Sequence, residues 1–120
     1  MKFFLVFLGG GLGALSRFAL TKAITDLCGI RFPWGILTCN LVGCFLIGLA
    51  AGQVSKSVPD WFGPLLMVGF LGGFTTFSTF AHDSLSLMKN GDTSLGLLNV
   101  LASVIPGVLA VWLGLRLTGS

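Results

Sequence analysis

Three features of this sequence predict an all-α integral membrane protein, with four transmembrane helices of which the third breaks in mid-membrane. The 120 residues are 54% hydrophobic and only 9% charged, too few charged groups to cover a soluble domain of this size. Four apolar runs, each close to the roughly 20 residues that cross a bilayer as helix, are separated by short polar connections. Within the third run lies Gly69-Phe70-Leu71-Gly72-Gly73-Phe74-Thr75-Thr76-Phe77-Ser78-Thr79-Phe80. Paired glycines followed by four hydroxyl residues in five positions make a poor continuous helix, because glycine has excess backbone freedom and Ser/Thr compete for backbone hydrogen bonds.

The first span, Phe3 to Leu20, follows Lys2 and contains Arg17. Its start looks like a secretory signal, but Arg17 interrupts the run early and Gly13-Ala14 makes no clean cleavage site, so it is expected to stay as a membrane span. Gly9-Gly10-Gly11-Leu12-Gly13-Ala14 also fits a dinucleotide fingerprint, yet the chain shows none of the alternating strands and helices that fingerprint requires. A connection from Thr21 to Pro33 holds Lys22, Asp26 and Arg31, and Pro33 suits the first turn of the second span, Trp34 to Gly52. The connection from Gln53 to Asp60 holds Lys56 and Pro59, with Asp60 placed to cap the third span, Trp61 to about Leu87. Lys89-Asn90-Gly91-Asp92-Thr93 is a polar turn ending in capping residues before the fourth span, Leu95 to Leu115. The whole chain is therefore one four-helix transmembrane domain, 1–120, with no loop long enough for a soluble one.

Small residues recur four positions apart: Gly9 and Gly13, Gly48 and Gly52, Gly69 and Gly73, Ser103 and Gly107, Ala110 and Gly114. Such spacing lets transmembrane helices approach closely, and every span carries it.

Four spans put both termini and the second connection on one side of the membrane. That side holds Lys2, Lys56 and Arg116; the other holds Lys22, Arg31 and Lys89, with Arg17 near its span's end. Positive charge sets orientation, and a three-against-four split decides almost nothing. The balance predicts insertion both ways up and pairing of two opposed copies about an axis in the membrane, with a chance balance in a chain of few charges as the alternative.

A break at membrane depth frees backbone groups, and these are tolerated only where protein, ion or water satisfies them. Beside it stand Phe74, Phe77 and Phe80 at intervals of three, which on a helix sets Phe77 and Phe80 on one face. Asn40 lies well inside the second span, a candidate functional residue whose amide must find partners or water, with a plain interhelical hydrogen bond as the alternative. Asn99 and Ser103, four apart, share a face that reads equally as a wet track or as a packing seam with Gly107. Arg17 reads as an interfacial anchor that could also serve an electropositive vestibule, and His82 and Asp83 sit near the end of the third span without an assigned role.

The spans contain no acidic residue apart from Asp83 at an end, which leaves no obvious proton relay. Cys28, Cys39 and Cys44 lack metal-ligand spacing, and no nucleophile-base pair or phosphate loop points to an enzyme. The excess of three basic charges is spread along the chain and offers no nucleic-acid surface. Passive permeation is the function class that remains.

At Gly72-Gly73-Phe74-Thr75-Thr76-Phe77-Ser78-Thr79-Phe80, at Gly10-x-x-Gly13-Ala14-x-x-Arg17 and at Asn40-Leu41-Val42-Gly43, the sequence resembles the Fluc fluoride channels, also called the CrcB family. The likeness covers the whole chain. It implies passive export of fluoride across the cytoplasmic membrane by an antiparallel, dual-topology homodimer with two pores and a structural sodium ion at its centre. On matching positions, Phe77 and Phe80 look like the phenylalanines whose ring edges contact fluoride, and Asn40 like the pore asparagine. Gly72 and Thr75 look like the residues whose carbonyls hold sodium, Ser103 like part of the polar track, and Arg17 fits the vestibule. Gly107 departs from the pattern where a hydroxyl is expected. Two other classes stay open: a small dual-topology proton-coupled multidrug transporter, which would be expected to carry a carboxylate in its first span, and a non-transporting structural membrane protein.

Overall fold

The structure, a computed structural model, describes residues 1–54 and 56–119; Ser55, within the second predicted connection, lies outside them. Helix α1 runs Lys2–Cys28 and α2 Trp34–Val54. A π-helical segment, Phe62–Leu71, continues into the single turn α3, Gly72–Phe74. After an extended Thr75-Thr76 the chain resumes as α4, Phe77–Lys89, and ends with α5, Thr93–Leu117. The described residues thus form four long apolar helical spans, the third interrupted, and include no strand.

Helix α1 continues two turns beyond its apolar run. Nothing between Thr21 and Cys28 breaks a helix, and Lys22 and Asp26 form an exposed pair at 3.1 Å across one turn. Termination waits for Gly29, whose φ of 85° suits only glycine and whose N–H reaches the Thr25 carbonyl at 2.8 Å. The first connection therefore shrinks to residues 29–33, and Arg17, expected near a helix end, lies in the body of α1. Pro33 opens α2 as its type requires: it offers no N–H, and its carbonyl accepts from Leu37 N–H at 3.1 Å.

Two predicted caps are not made. The third span starts from Trp61 without a side-chain cap, and Asp92 precedes α5 without bonding its free N–H groups. With φ −98° and ψ 51°, Asp92 lacks the extended backbone that turns a capping oxygen onto the first turn.

Glycines line the helix seams and many large residues face outward, with Phe32, Phe74 and Phe80 among the buried exceptions. Only Gly9 and Gly13 of α1 are buried, whereas Phe3 is 93% exposed and Phe7 and Phe18 are exposed with it. Hydrocarbon does not drive apolar side chains inward, so association rests on close backbone contact, which glycine permits. A Cβ on Gly9 would collide with the Leu65 carbonyl and one on Gly13 with that of Phe70; from the other side, a Cβ on Gly73 would stand 2.5 Å from the Gly10 carbonyl oxygen. On the second seam a Cβ on Gly48 would strike the Val111 carbonyl, and one on Gly114 would come 2.5 Å from that of Phe45. The four-apart pairs on α1 and the third span face one another, and Gly48 of α2 faces Gly114 of α5. Two tight helix pairs result.

Substituting Gly13 by valine should therefore abolish recovery of monodisperse protein in detergent, because backbone carbonyls cannot retreat as flexible side chains can. Gly11→Val, two residues away where an added Cβ meets nothing within 4 Å, should behave as the parent on size-exclusion chromatography. Equal behaviour of the two variants would contradict the seam.

Candidate functional site

The break falls at the hydroxyl residues and not at the paired glycines. Gly72 and Gly73 remain helical, whereas Thr75 (φ −95°, ψ 157°) and Thr76 (φ −153°, ψ 121°) are extended. The Thr75 hydroxyl and N–H both bond the Leu71 carbonyl, at 2.8 and 3.0 Å, and so end the turn. The Thr76 hydroxyl then caps α4 by accepting from Thr79 N–H at 3.4 Å. Glycine serves here for close approach and the threonines for the change of direction.

The fate of the interrupted backbone bonds defines the site. In an unbroken α-helix Thr76 N–H would bond the Gly72 carbonyl; instead it donates to Asn40 Oδ1 at 2.9 Å, and Asn40 Nδ2 donates to the Thr76 carbonyl at 3.1 Å. The amide of α2 thus occupies both polar groups of one extended residue. It reaches them because Gly43, one turn on, leaves space for Thr75: a Cβ there would collide with the Thr75 methyl. Phe77 N–H would likewise serve the Gly73 carbonyl, which instead accepts from Arg17 Nε at 3.1 Å. Thr79 N–H, turned to the Thr76 hydroxyl, releases the Thr75 carbonyl. Gly72 and Thr75 therefore both present carbonyls deprived of their α-helical donors.

A cavity of about 380 Å³ opens beside this break, lined among others by Asn40, Gly72, Thr75, Phe77, Phe80 and Ser103. Phe77 and Phe80 share the first turn of α4, with ring centroids 5.5 Å apart and planes inclined at 55°. Phe80 is 8% exposed and Phe77 77% exposed, so one ring is seated in the protomer and the other projects from it. An aromatic ring is positive at its edge, so a ring edge turned into the cavity would attract an anion without a formal charge. Asn40 spends one amide N–H on Thr76 and keeps a second. The Ser103 hydroxyl is buried without a hydrogen-bond partner among the described residues, a condition that asks for water or a ligand.

The predicted face on α5 divides. Ser103 borders the cavity, but Asn99 is buried in the protein and donates to Ser84 Oγ at 2.9 Å. At Gly107 an added Cβ would rest 3.5 Å from Cys44 Sγ, an ordinary contact. Cys44 also lines the cavity, a place that its lack of metal-ligand spacing gave no sign of. Its place is visible only in register, four residues after Asn40 on the same helix face. Arg17 is committed to the Gly73 carbonyl, which makes it a clamp on the break. His82 and Asp83 lie away from this cavity, with Nδ1 and Oδ1 3.8 Å apart.

Fold and site together define a polytopic helical membrane protein that holds a partly polar cavity open at a broken helix. Its family is given by comparison over the whole chain. The family model described as CrcB-like protein, Camphor Resistance (CrcB), matches residues 4–115, and the chain belongs to this family. It is 48% identical over 112 residues to the fluoride-specific ion channel FluC of Magnetococcus marinus, covering 92% of this chain and 91% of that protein. Identity to the fluoride-specific ion channel FluC of Solibacter usitatus is 46% over 117 residues, 95% of each chain. With the protein of the same name from Francisella philomiragia it is 43% over 116 residues, 92% of this chain and 88% of the other.

Because Asn40 stands in for two lost backbone partners, Asn40→Leu should destabilise the protein by about 1–3 kcal/mol for each group it strands. Asn40→Asp should also be less stable than the parent, since an ionised carboxylate still accepts from Thr76 N–H but repels its carbonyl and is itself costly to bury. Chemical unfolding in detergent measures both. Unchanged stability of Asn40→Leu would show that the two bonds do not hold the break.

Proposed function

We propose that this protein is a fluoride-selective channel, not an enzyme, that lets fluoride leave the cell passively across the cytoplasmic membrane. The observation that carries the proposal is the convergence, on one cavity at the broken helix, of the Asn40 amide, the Phe77 and Phe80 rings and an unpartnered Ser103 hydroxyl. The names of the relatives support fluoride as the permeant ion.

Fluoride is small and tightly hydrated, so a pathway must return close donors as water is removed. The free N–H of Asn40 and the hydroxyl of Ser103 supply donors, and the ring edges of Phe77 and Phe80 supply diffuse positive potential between them. Neither is a full charge. An ion held this weakly can move on, which conduction requires. An interior-negative potential is worth about 2.3 kcal/mol per charge per 100 mV and drives the anion outward without a motor.

The working unit in this reading is an antiparallel homodimer. Phe77 projects from the protomer, and Gly72 is exposed beside it, so a partner has both a ring to cover and backbone oxygens to meet. A two-fold axis in the membrane plane brings the same carbonyls of two opposed copies together. The carbonyls of Gly72 and Thr75 form an oxygen-only donor set with no formal charge, which fits a hard monovalent cation such as sodium. When bound, the ion supplies positive charge that holds these converging dipoles together. Arg17, through Gly73, keeps the turn that presents them in place.

Purified protein in liposomes should release fluoride and retain chloride. Phe80→Ile and Phe77→Ile should each lower fluoride efflux sharply while leaving assembly intact on size-exclusion chromatography, because each removes a ring edge and keeps an apolar filler. Parental efflux in both would take the rings out of the pathway.

Orientation gives an independent test. Two or three lysines added beside Lys56 should bias the chain one way up and the same addition beside Lys89 the other, leaving each variant inactive alone. Co-expression should restore fluoride resistance to a host lacking its own exporter, with cysteine labelling from each side reporting orientation. Full protection by one variant labelled on a single side would overturn the antiparallel dimer.

A further inference from the structure

Away from the groups assigned to the pathway, two polar side chains are buried among the described residues: Ser84 at 4% and Asn99 at 2% exposure. They are bonded in series. Asn99 Nδ2 on α5 donates to Ser84 Oγ on α4 at 2.9 Å, and Ser84 Oγ donates to the Phe80 carbonyl at 2.8 Å. The hydroxyl has one proton, so its commitment to Phe80 leaves it only an acceptor towards Asn99. The chain runs from α5 to the backbone of the residue whose ring is seated in the cavity wall.

The break makes this link matter. No α-helical bond crosses Thr75-Thr76, so the rotation of α4 about its own axis is not inherited from α3. The Thr76 cap at 3.4 Å is long, and the chief neighbour of α4 is α5. Two features of α5 set that contact. At Gly96 an added Cβ would stand 2.8 Å from the Ser84 carbonyl oxygen, so the backbones touch there; one turn on, Asn99 reaches the Ser84 hydroxyl. Glycine contact fixes distance and tolerates sliding, whereas the directional bond fixes rotation. Each residue of helix advances about 100° around the axis, so a fraction of that step would swing the Phe80 edge off the cavity.

We propose that Asn99 and Ser84 are positioning residues for Phe80, locking the rotation of α4 so that the ring edge faces the permeating anion. The inference rests on the reading of Phe80 as a pathway residue. It assigns Asn99 to the frame of the pathway and leaves Ser103, one turn further on, as the α5 hydroxyl that meets the ion.

The test combines fluoride efflux from liposomes with 19F NMR of the full chain carrying 4-fluorophenylalanine at position 80, and in a separate sample at position 74, on the other side of the break. Asn99→Ala and Ser84→Ala should each lower efflux about tenfold, the scale of one buried side-chain hydrogen bond between membrane helices. Both should shift or split the resonance at position 80 and leave that at position 74 unchanged. If Asn99→Ala does not give monodisperse protein, Ser84→Ala carries the test, since it removes the relay with the loss of one atom. Parental efflux in both variants would overturn the proposal, as would an equal change at positions 74 and 80, which would mean general loosening. A fall in efflux with an unmoved position 80 resonance would overturn it too, by making Asn99 itself a donor to the ion. Parental efflux in Phe80→Ile, by contrast, would remove the pathway reading on which the inference stands.

Discussion

Hydrocarbon offers no hydrogen bonds, so every backbone group released at the break in the third span must find a partner within the protein, an ion or trapped water. Most of what is distinctive here follows from that requirement. Asn40 binds both polar groups of Thr76, Arg17 binds the Gly73 carbonyl, and the Thr76 hydroxyl caps α4. These bonds tie α1 to Gly73 and α2 to Thr76, and the cavity opens between α2, the broken third span and α5. The carbonyls of Gly72 and Thr75 stay without α-helical donors, and they are the groups proposed to meet a cation shared with a partner copy.

Packing answers a second constraint. A tightly bound backbone needs close neighbours, and side-chain burial supplies little drive in lipid. Gly9, Gly13, Gly48 and Gly114 set the helices nearly backbone to backbone, while most large apolar residues face outward. The protomer is held together by contact geometry and a few directional bonds. That is why single interior polar residues such as Asn40 and Asn99 can carry structural weight out of proportion to their number.

The treatment of charge follows the same economy. The one arginine beside the break is bound to a carbonyl, and the cavity wall offers the Phe77 and Phe80 rings, the Asn40 amide and the hydroxyl residues Thr75, Thr76 and Ser103. A fixed positive charge in the path would hold an anion too firmly for rapid release. In the proposed pathway, diffuse positive potential and neutral donors would lower the entry barrier for a small anion without creating a trap. Asn99 and Ser84, bonded to each other, extend the frame that aims one of those rings.

Local chemistry made the protein class, the four spans, an interruption somewhere between Gly69 and Phe80 and the glycine seams legible in the sequence. Hydropathy, four-residue spacing and a run of threonines act over a few neighbouring residues, and the fold keeps what they specify. The apolar run ending at Leu20 did not mark the end of α1, because a helix does not require an apolar sequence and continues until Gly29 stops it. Asn40 was recognisable as a residue needing a partner, but its partner was Thr76, 36 positions away, and that of Arg17 was Gly73, 56 positions away. Asn99 and Ser103 share a helix face, and only the packing of α4 against α5 sent one to Ser84 and left the other at the cavity. Such pairings depend on how helices remote in sequence are brought into register, where a shift of an ångström exchanges one partner for another, and no local pattern contains that distance.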